Sequence, residues 1–258
     1  MSDVSIKPAP TRRQLVAGAA VTLGGMGLLG LPEMAQAQTL ARKKIRNDPQ
    51  TILNVAATAE VLATIVNTVG FEKGLGGDAV TQRNIKAAAR EELVHYQVLT
   101  SKAVGGKAIT KKIWVPDAVF ANRTGLLSTL EVGDQIFVNA YLLGTLEFGY
   151  RGAGDLAVIA AEFMGVEGVH RALARQSLGK LGNDRVFMKF DDVETAPDAP
   201  NKGQAGFEDI LGAVKQLQAA GFGFGKEGAK PGRFYEFEEV SKRTPTDPDL
   251  NTFTPDAD

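Results

Sequence analysis

The chain has 258 residues, with 29 lysines and arginines against 30 aspartates and glutamates, so its formal net charge is −1. This balance excludes the strongly basic surface with which proteins bind nucleic acids or anionic membranes. The absence of cysteine excludes disulfides, thiolate metal sites and a lipid-modified cysteine, so any metal must be held by oxygen and nitrogen ligands.

Residues 1–37 have the layout of an export signal. The twin arginines Arg12 and Arg13 precede an apolar, glycine-rich run at 15–31, and the small-x-small sequence at 35–37 indicates cleavage directly after it. The stretch TRRQL resembles signals of the twin-arginine pathway, which exports folded proteins. We therefore expect a periplasmic or secreted protein without stable membrane association after cleavage. The alternative is an uncleaved anchor, because a spanning helix needs about 18 apolar residues or more.

Four helices are predicted between residues 49 and 180, after a linker at 38–48. In the first, Pro49 suits the opening turn, apolar residues occupy nearly every face and Gly70 is expected to end it. The other three also show helical spacing of apolar residues between turn-forming segments. The predicted helices span residues 49–70, 81–104, 126–149 and 155–178.

The connections between these helices predict the topology. Short loops join the first helix to the second and the third to the fourth, whereas the segment at 105–125 is too long for a tight turn. We therefore predict an all-α, ferritin-like four-helix bundle with one long crossover, in which the second and third helices run parallel. The crossover is expected to pack along the bundle through Trp114.

Residues 181–258 are predicted to form a C-terminal extension. A short amphipathic helix is expected near 207–220, followed by an irregular strap and a disordered tail, because the end of the chain is rich in glycine, proline and acidic residues.

The only two histidines lie in the same Glu-x-x-His setting, Glu92 with His95 and Glu167 with His170. Residues three apart share one helix face, so each pair presents a carboxylate and an imidazole together. Dimetal centres in four-helix bundles use Glu-x-x-His on two helices and one acid on each of the others. Glu60 is the only acid on the first predicted helix, and burying it among small residues is costly unless it is paired or binds a metal.

Two acids compete for the ligand position on the third helix, Glu131 and Asp134, which lie one turn apart on the same face. Glu60 precedes Glu92 by 32 residues, and the same step back from Glu167 falls one residue from Asp134. Asp134 is therefore favoured, with Glu131 as the reserve or a second ligand.

The sequence also resembles a known family, the exported bacterial ferritin-like domain proteins that are allied to desiccation-related proteins. The resemblance runs through ILNVAATAEVL, EELVH, DQIFVNAYLLG and AAEFMGVEGVHRALAR, from about Thr51 to Gly179. It implies a ferritin-like bundle with a di-iron or di-manganese centre. In such proteins a glutamate usually stands six residues before Ala-Tyr-Leu, where this chain has the shorter Asp134.

These observations lead to two functional hypotheses. The first is a protein that binds two iron or manganese ions for oxidation, peroxide chemistry or metal handling. The second is a metal-free structural or stress-protective bundle, in which each histidine is an ordinary helix partner of its glutamate, worth about 0.2–0.5 kcal/mol. A membrane-tethered partner protein is a third option if the signal is retained. The sequence leaves open whether the protein is an enzyme.

Other expectations concern the surroundings and the assembly. Glu91, Glu147 and Glu162 are expected on the outside of the bundle, and Tyr96 and Tyr141 in core packing rather than in redox roles. An excess of apolar helix faces favours a homodimer.

Overall fold

A computed structural model describes residues 47–183 and 206–247. The predicted signal, most of the linker and the last eleven residues of the tail lie outside the described residues. The described protein is mostly helical, as expected, and also contains a small sheet. The helices are α1 (Pro49–Glu72), α2 (Ala79–Leu99), α3 (Arg123–Tyr150), α4 (Gly154–Ser177), α5 (Leu211–Ala220) and α6 (Phe237–Val240). The strands are β1 (Lys112–Pro116), β2 (Gly223–Phe224) and β3 (Gly232–Glu236), and short 3₁₀ turns span Asp117–Phe120 and Ser241–Arg243.

Polar caps fix the starts of three long helices. The side chains of Asp48, Asp78 and Asn122 each accept a hydrogen bond from the backbone N–H three residues later, at 2.8–2.9 Å. Each cap satisfies an N–H group that has no partner inside its own helix. Pro49 follows the first cap at a position where its missing N–H costs nothing.

Two predicted helix ends are wrong. Helix α1 continues past Gly70 to Glu72, and Gly70 is needed for packing, because a Cβ there would lie 2.6 Å from the Leu126 side chain of α3. Helix α2 ends at Leu99 rather than at residue 104, and the Leu99 carbonyl accepts a hydrogen bond from Gly106 at 2.8 Å.

Helices α1 and α2 form one antiparallel pair, and α3 and α4 form another. Gln82, near the start of α2, donates to the Phe71 carbonyl near the end of α1 at 2.6 Å. Glu131, in the first half of α3, accepts from Arg175 near the end of α4 at 2.5 Å. Each pair is joined by a short connection, as predicted.

The two pairs pack so that α2 and α3 run in the same direction. The Thr81 hydroxyl at the start of α2 lies 2.9 Å from that of Ser177 at the end of α4. Farther along α2, Glu91 lies 2.6 Å from His170, which is earlier on α4. Helix α2 is therefore antiparallel to α4, as α3 is, and hence parallel to α3. The connection between α2 and α3 must cross the length of the bundle.

Helix α1 is the central apolar element of the described protein. Ala57, Val61 and Ile65 are fully buried. Among the described residues, α1 is the one helix with the length and composition to cross a membrane, and 89% of its most apolar window is buried inside the protein. Its apolar character is therefore accounted for by packing within the fold.

The crossover contains a strand that the sequence pattern does not predict. Strand β1 is the middle strand of an antiparallel sheet with the order β2-β1-β3. Its buried side chains are Ile113, Val115 and Pro116. Trp114 instead packs edge-on against Phe234 of β3, with ring centroids 5.1 Å apart, and its indole N–H donates to the Lys230 carbonyl. The crossover thus packs inward through Ile113 and Val115 rather than through Trp114.

The described part of the C-terminal extension, residues 206–247, contains more regular structure than expected. This segment contacts α1 and Asn47, the residue that precedes the cap of α1. The Asn47 amide oxygen accepts from the Ile210 N–H at 2.7 Å, and the Thr68 and Thr244 hydroxyls lie 2.9 Å apart. Strands, a short helix and these contacts replace the predicted irregular strap.

Candidate metal centre

Five of the predicted ligands come together in the interior of the bundle. Helix α1 contributes Glu60, α2 contributes Glu92 and His95, and α4 contributes Glu167 and His170. The three glutamates are fully buried, and the two histidines are only 4% and 9% exposed. The Glu-x-x-His spacing directs each pair from one helix face into the same space.

Glu92 and Glu167 each lie between the two histidines. One oxygen of Glu92 is 3.5 Å from Nδ1 of His95, and its other oxygen is 3.2 Å from Nδ1 of His170. Glu167 repeats this arrangement, at 3.5 Å from His95 and 3.7 Å from His170. Glu60 approaches only His95, at 3.7 Å. The two shared carboxylates therefore separate two positions, each facing one imidazole.

Most ligand atoms of this cluster lack a hydrogen-bond partner among the described residues. Both oxygens of Glu92 and Glu167, one oxygen of Glu60, and Nδ1 of both histidines are buried without one. Leaving so many buried polar atoms unpaired is costly, and a bound cation would satisfy them together. Ligand atoms of Glu60, Glu92, His95 and Glu167 all lie within 4.8 Å of one another, so one ion can reach all four residues.

The structure distinguishes the two acids of the third helix. Asp134 is 6% exposed, its Oδ2 atom is buried without a partner, and it lines a cavity of about 30 Å³ together with His170. Glu131 instead accepts from Arg175 and Lys180, each at 2.5 Å. Asp134 therefore lies beside the cluster, and the reserve ligand Glu131 belongs to an outer ion-pair group.

Protonation is favoured at four groups in and beside this cluster, namely Glu60, Asp134, His95 and His170. Burial and the nearby Glu92 raise the pKa of Glu60 to about 8. Burial and Glu167 raise the pKa of Asp134 well above its usual value. For both histidines burial lowers the pKa, but the surrounding carboxylates, Glu167 first, outweigh burial and raise it well above its usual value. Without a metal, protons would reduce the negative charge.

Two aromatic residues enclose the His95 side of the cluster. The Tyr141 hydroxyl donates a hydrogen bond to Glu60, and Phe163 stacks on the His95 ring with centroids 3.9 Å apart. The expectation for Tyr141, core packing, is incomplete because its hydroxyl binds a cluster residue. Its position two turns after Asp134, on the same helix face, is the sequence signal for this role.

Two acids expected on the outside have specific partners. Glu91 lies 2.6 Å from Nε2 of His170, which lowers the pKa of Glu91. Glu147 is only 5% exposed and accepts from the Asn47 amide at 3.0 Å, apart from the cluster. Nothing in the sequence separates Glu91 from an ordinary surface acid, because its role depends on the approach of α4.

Comparisons with protein-family models, with curated proteins and with solved structures find no match to this chain. The fold and the site define a mostly helical protein with a buried carboxylate and histidine cluster that could hold metal. Any assignment of function therefore depends on the geometry of that cluster.

Proposed function

We propose that this chain is an exported ferritin-like protein that binds two iron or manganese ions within its helical bundle. Four long helices, a long connection between α2 and α3, and Glu-x-x-His on α2 and α4 support the proposal, because dimetal carboxylate proteins of this type combine these features. The export route rests on residues 12–37 alone.

One observation carries the proposal: Glu92 and Glu167 each turn one oxygen toward His95 and the other toward His170. Shared carboxylates with this orientation fit two cations held side by side. The first position would have Glu60 and His95 as its own ligands, and the second would have Asp134 and His170. Oxygen and imidazole ligands without thiolates suit iron or manganese.

Charge supports the same assignment. When both histidines are neutral, the four buried carboxylates carry four negative charges. Two divalent cations would cancel this charge. Without cations or protons, this charge would remain unpaired in the protein interior, at a cost of several kcal/mol for each ion. The donor set therefore fits a metal pair in charge as well as in ligand type.

Bound in this cluster, iron or manganese would supply electron-transfer chemistry toward oxygen or peroxide, or would be held as stored metal. The protein's own contribution is orientation and shielding. Glu91 fixes the His170 ring so that Nδ1 faces the shared carboxylates, and Tyr141 holds one oxygen of Glu60. Phe163 covers the His95 ring and excludes water from that side.

A second candidate function, a metal-free stress-protective bundle, is favoured by the protonation behaviour of the cluster. The pKa values of Glu60, Asp134, His95 and His170 are all raised. Protons on these four groups would offset the remaining carboxylates. Such a cluster would be tolerated without metal, although its unpaired atoms would contribute little to stability.

The experiment is to express the protein with iron and manganese supplied and to measure metal per chain by mass spectrometry. We expect about two ions per chain in wild type, and almost none in the His95→Ala/His170→Ala variant, because each position loses its imidazole. The metal-loaded wild type should also melt at a higher temperature than the metal-stripped protein.

The matched control compares Glu92→Gln with Glu147→Gln, two changes of a buried carboxylate to its amide. Glu92→Gln should lose metal, whereas Glu147→Gln should retain it, because Glu147 lies outside the cluster. If wild type carries no stoichiometric metal and the double variant melts at the same temperature, the metal-free function replaces the proposal.

A further inference from the structure

A second cavity, of about 260 Å³, lies beside α1 and α3 under the C-terminal segment. Its walls are mostly apolar, and it is closed on one side by α5 and the residues that follow it. Val132, which is 42% exposed, and the exposed Lys230 also line it, so the cavity opens to solvent there. The principal apolar residues of its walls are Leu62, Val66, Ile136, Phe137, Leu217 and Phe222.

Two unpaired polar groups lie in the wall of this cavity. Asn67 is 2% exposed; its amide N–H donates to the Ala63 carbonyl at 3.2 Å, but its Oδ1 atom has no partner among the described residues. Asp134 lines the same cavity, and its Oδ2 atom is also buried without a partner among the described residues. Both residues also line the small cavity that contains His170. The polar part of the large cavity thus adjoins the carboxylate and histidine cluster.

We propose that this cavity is a binding site for small aliphatic alcohols. The apolar walls fit an alkyl chain, whose burial is favourable by about 0.8 kcal/mol for each methylene. The free amide oxygen of Asn67 requires a hydrogen-bond donor. A hydroxyl supplies one, and it can also donate to or accept from Asp134 in either protonation state.

Charged head groups of the same length fit this site poorly. An alkanoate would place a negative charge against Asp134 and the neighbouring acids, and it offers Asn67 no donor. An alkylammonium ion would be attracted by the same acids and could donate to Asn67, but it would have to give up the hydration of a full charge among apolar walls, which costs far more than desolvating a hydroxyl. The neutral hydroxyl is therefore the head group that the cavity selects.

Alcohol binding does not depend on a metal, because Asn67 and the apolar walls supply the contacts. The hydroxyl would nevertheless lie beside Asp134, a proposed ligand of the second metal position. A substrate role for these alcohols rests on the proposed function: if the metal centre forms, short-chain alcohols are its expected substrate class.

The first experiment is calorimetric titration of the purified mature protein with 1-alkanols from butanol to octanol. We expect saturable binding whose affinity rises about fourfold for each methylene until the chain fills the cavity. Alkanoates and alkylammonium ions of equal length should bind at least about tenfold more weakly. The same titration of the metal-stripped wild type should give similar affinities, which separates this site from metal binding.

Two matched variants test the contacts. Asn67→Leu should weaken alkanol binding about tenfold, the effect of one lost hydrogen bond of about 1.4 kcal/mol. Thr129→Val also removes a polar group from the wall, but the Thr129 hydroxyl already donates to the Gly125 carbonyl at 2.8 Å, so binding should not change. Ala63→Leu should abolish binding by filling the cavity, and melting curves would establish that each variant is folded.

Three results would overturn the proposal: no saturable alkanol binding by wild type, equal weakening by Asn67→Leu and Thr129→Val, or tighter binding of either charged series. If Ala63→Leu fails to fold, the comparison of the Asn67 and Thr129 variants still decides the question.

Discussion

The two halves of the cluster have the same kinds of donor but different surroundings. On the His95 side, Glu60 is fully buried and bonded to Tyr141, and Phe163 covers the imidazole. On the His170 side, the outer ring nitrogen contacts Glu91, whose side chain is 36% exposed, and Asp134 lines two cavities. The site is nearly symmetric in its ligands and asymmetric in access.

From this difference we expect small molecules to reach the second half first. The His95 half is buried under an aromatic ring, so it can hold charge but exchanges slowly with solvent. The His170 half borders cavities, so it can admit water or a ligand without separation of the helices. Changes around His95 should therefore alter stability, and changes around His170 should alter binding.

The largest expected effect is the pH dependence of the metal-stripped protein, which tests the enclosed half. The pKa of Glu60 is about 8 in the folded state, against an ordinary value of 4.5, so Glu60 keeps a proton on folding that the unfolded chain releases. Stability must therefore fall as pH rises from about 4.5 to 8, by an amount on the order of 4 kcal/mol. The raised pKa of His95 has the same sign, since its contribution is lost as pH rises above 6.5 through the folded value.

Urea unfolding of the metal-stripped protein at pH 5 and pH 8.5 measures this change. Glu60→Gln should remove the share of this change that Glu60 contributes, whereas Glu147→Gln should leave the whole change in place. A stability that stays constant between the two pH values in wild type would show that Glu60 does not carry the proton.

The next largest effect is on metal affinity, and it should differ between the two acids of α3, Asp134 and Glu131. Asp134→Asn should lower the affinity of the second metal position on the order of a hundredfold, because a direct ligand matters at least as much as the groups that orient one. Glu131→Gln should leave metal affinity unchanged and cost on the order of 2 kcal/mol of stability, since it breaks largely buried, charged hydrogen bonds outside the cluster. Metal titration by calorimetry measures both, and an equal loss of affinity in the two variants would contradict the placement of Asp134.

A smaller change is expected from Glu91→Gln on the accessible half. The amide keeps the size of the side chain but no longer supports His170 with a negative charge, so metal affinity at the second position should fall about tenfold. Glu162→Gln, an exposed change on α4, is the control and should have no effect. If both variants bind metal like wild type, the contact between Glu91 and His170 does not orient the ligand.

The smallest effect belongs to Tyr141→Phe on the enclosed half. Loss of its hydroxyl removes the donor to Glu60 and should destabilise the protein by about 1 kcal/mol, with metal affinity at the second position unchanged. Tyr150→Phe, at a tyrosine that is 43% exposed, should be neutral in the same unfolding measurement. A larger effect on metal binding than on stability would show that the tyrosine supports both halves.

The features that were predictable from the sequence are those encoded over a few residues. Helical spacing of apolar residues located α1 to α4. Glu-x-x-His identified both histidine pairs, because its members share a helix face. Local sequence does not separate Glu131 from Asp134 as strongly, because both lie on one helix face. The distinction depends on Arg175 and Lys180, which hold Glu131 from 44 and 49 residues away.

Features encoded by distant contacts were not predictable. Strand β1 lacks a long alternating pattern, and β2 has only two residues, so neither is recognisable without its partner. The contact of Glu91 with His170 and the cavity beside Asn67 likewise depend on how the helices approach one another. A sequence pattern on one helix does not specify that approach.

The central position of β1 also constrains the order in which the molecule can be completed during synthesis. Ile113 pairs with Phe224 on one side and with Tyr235 on the other, so both neighbours of β1 leave the ribosome more than 100 residues after it. Until then the backbone of β1 has no strand partners, and the cavity lacks the wall that Leu217 and Phe222 provide. Contacts across such sequence distances form late and slowly. A nascent chain that stops after α4 would therefore expose an unpaired strand to aggregation and chaperones, and the fold can close only when its C-terminal segment has been made.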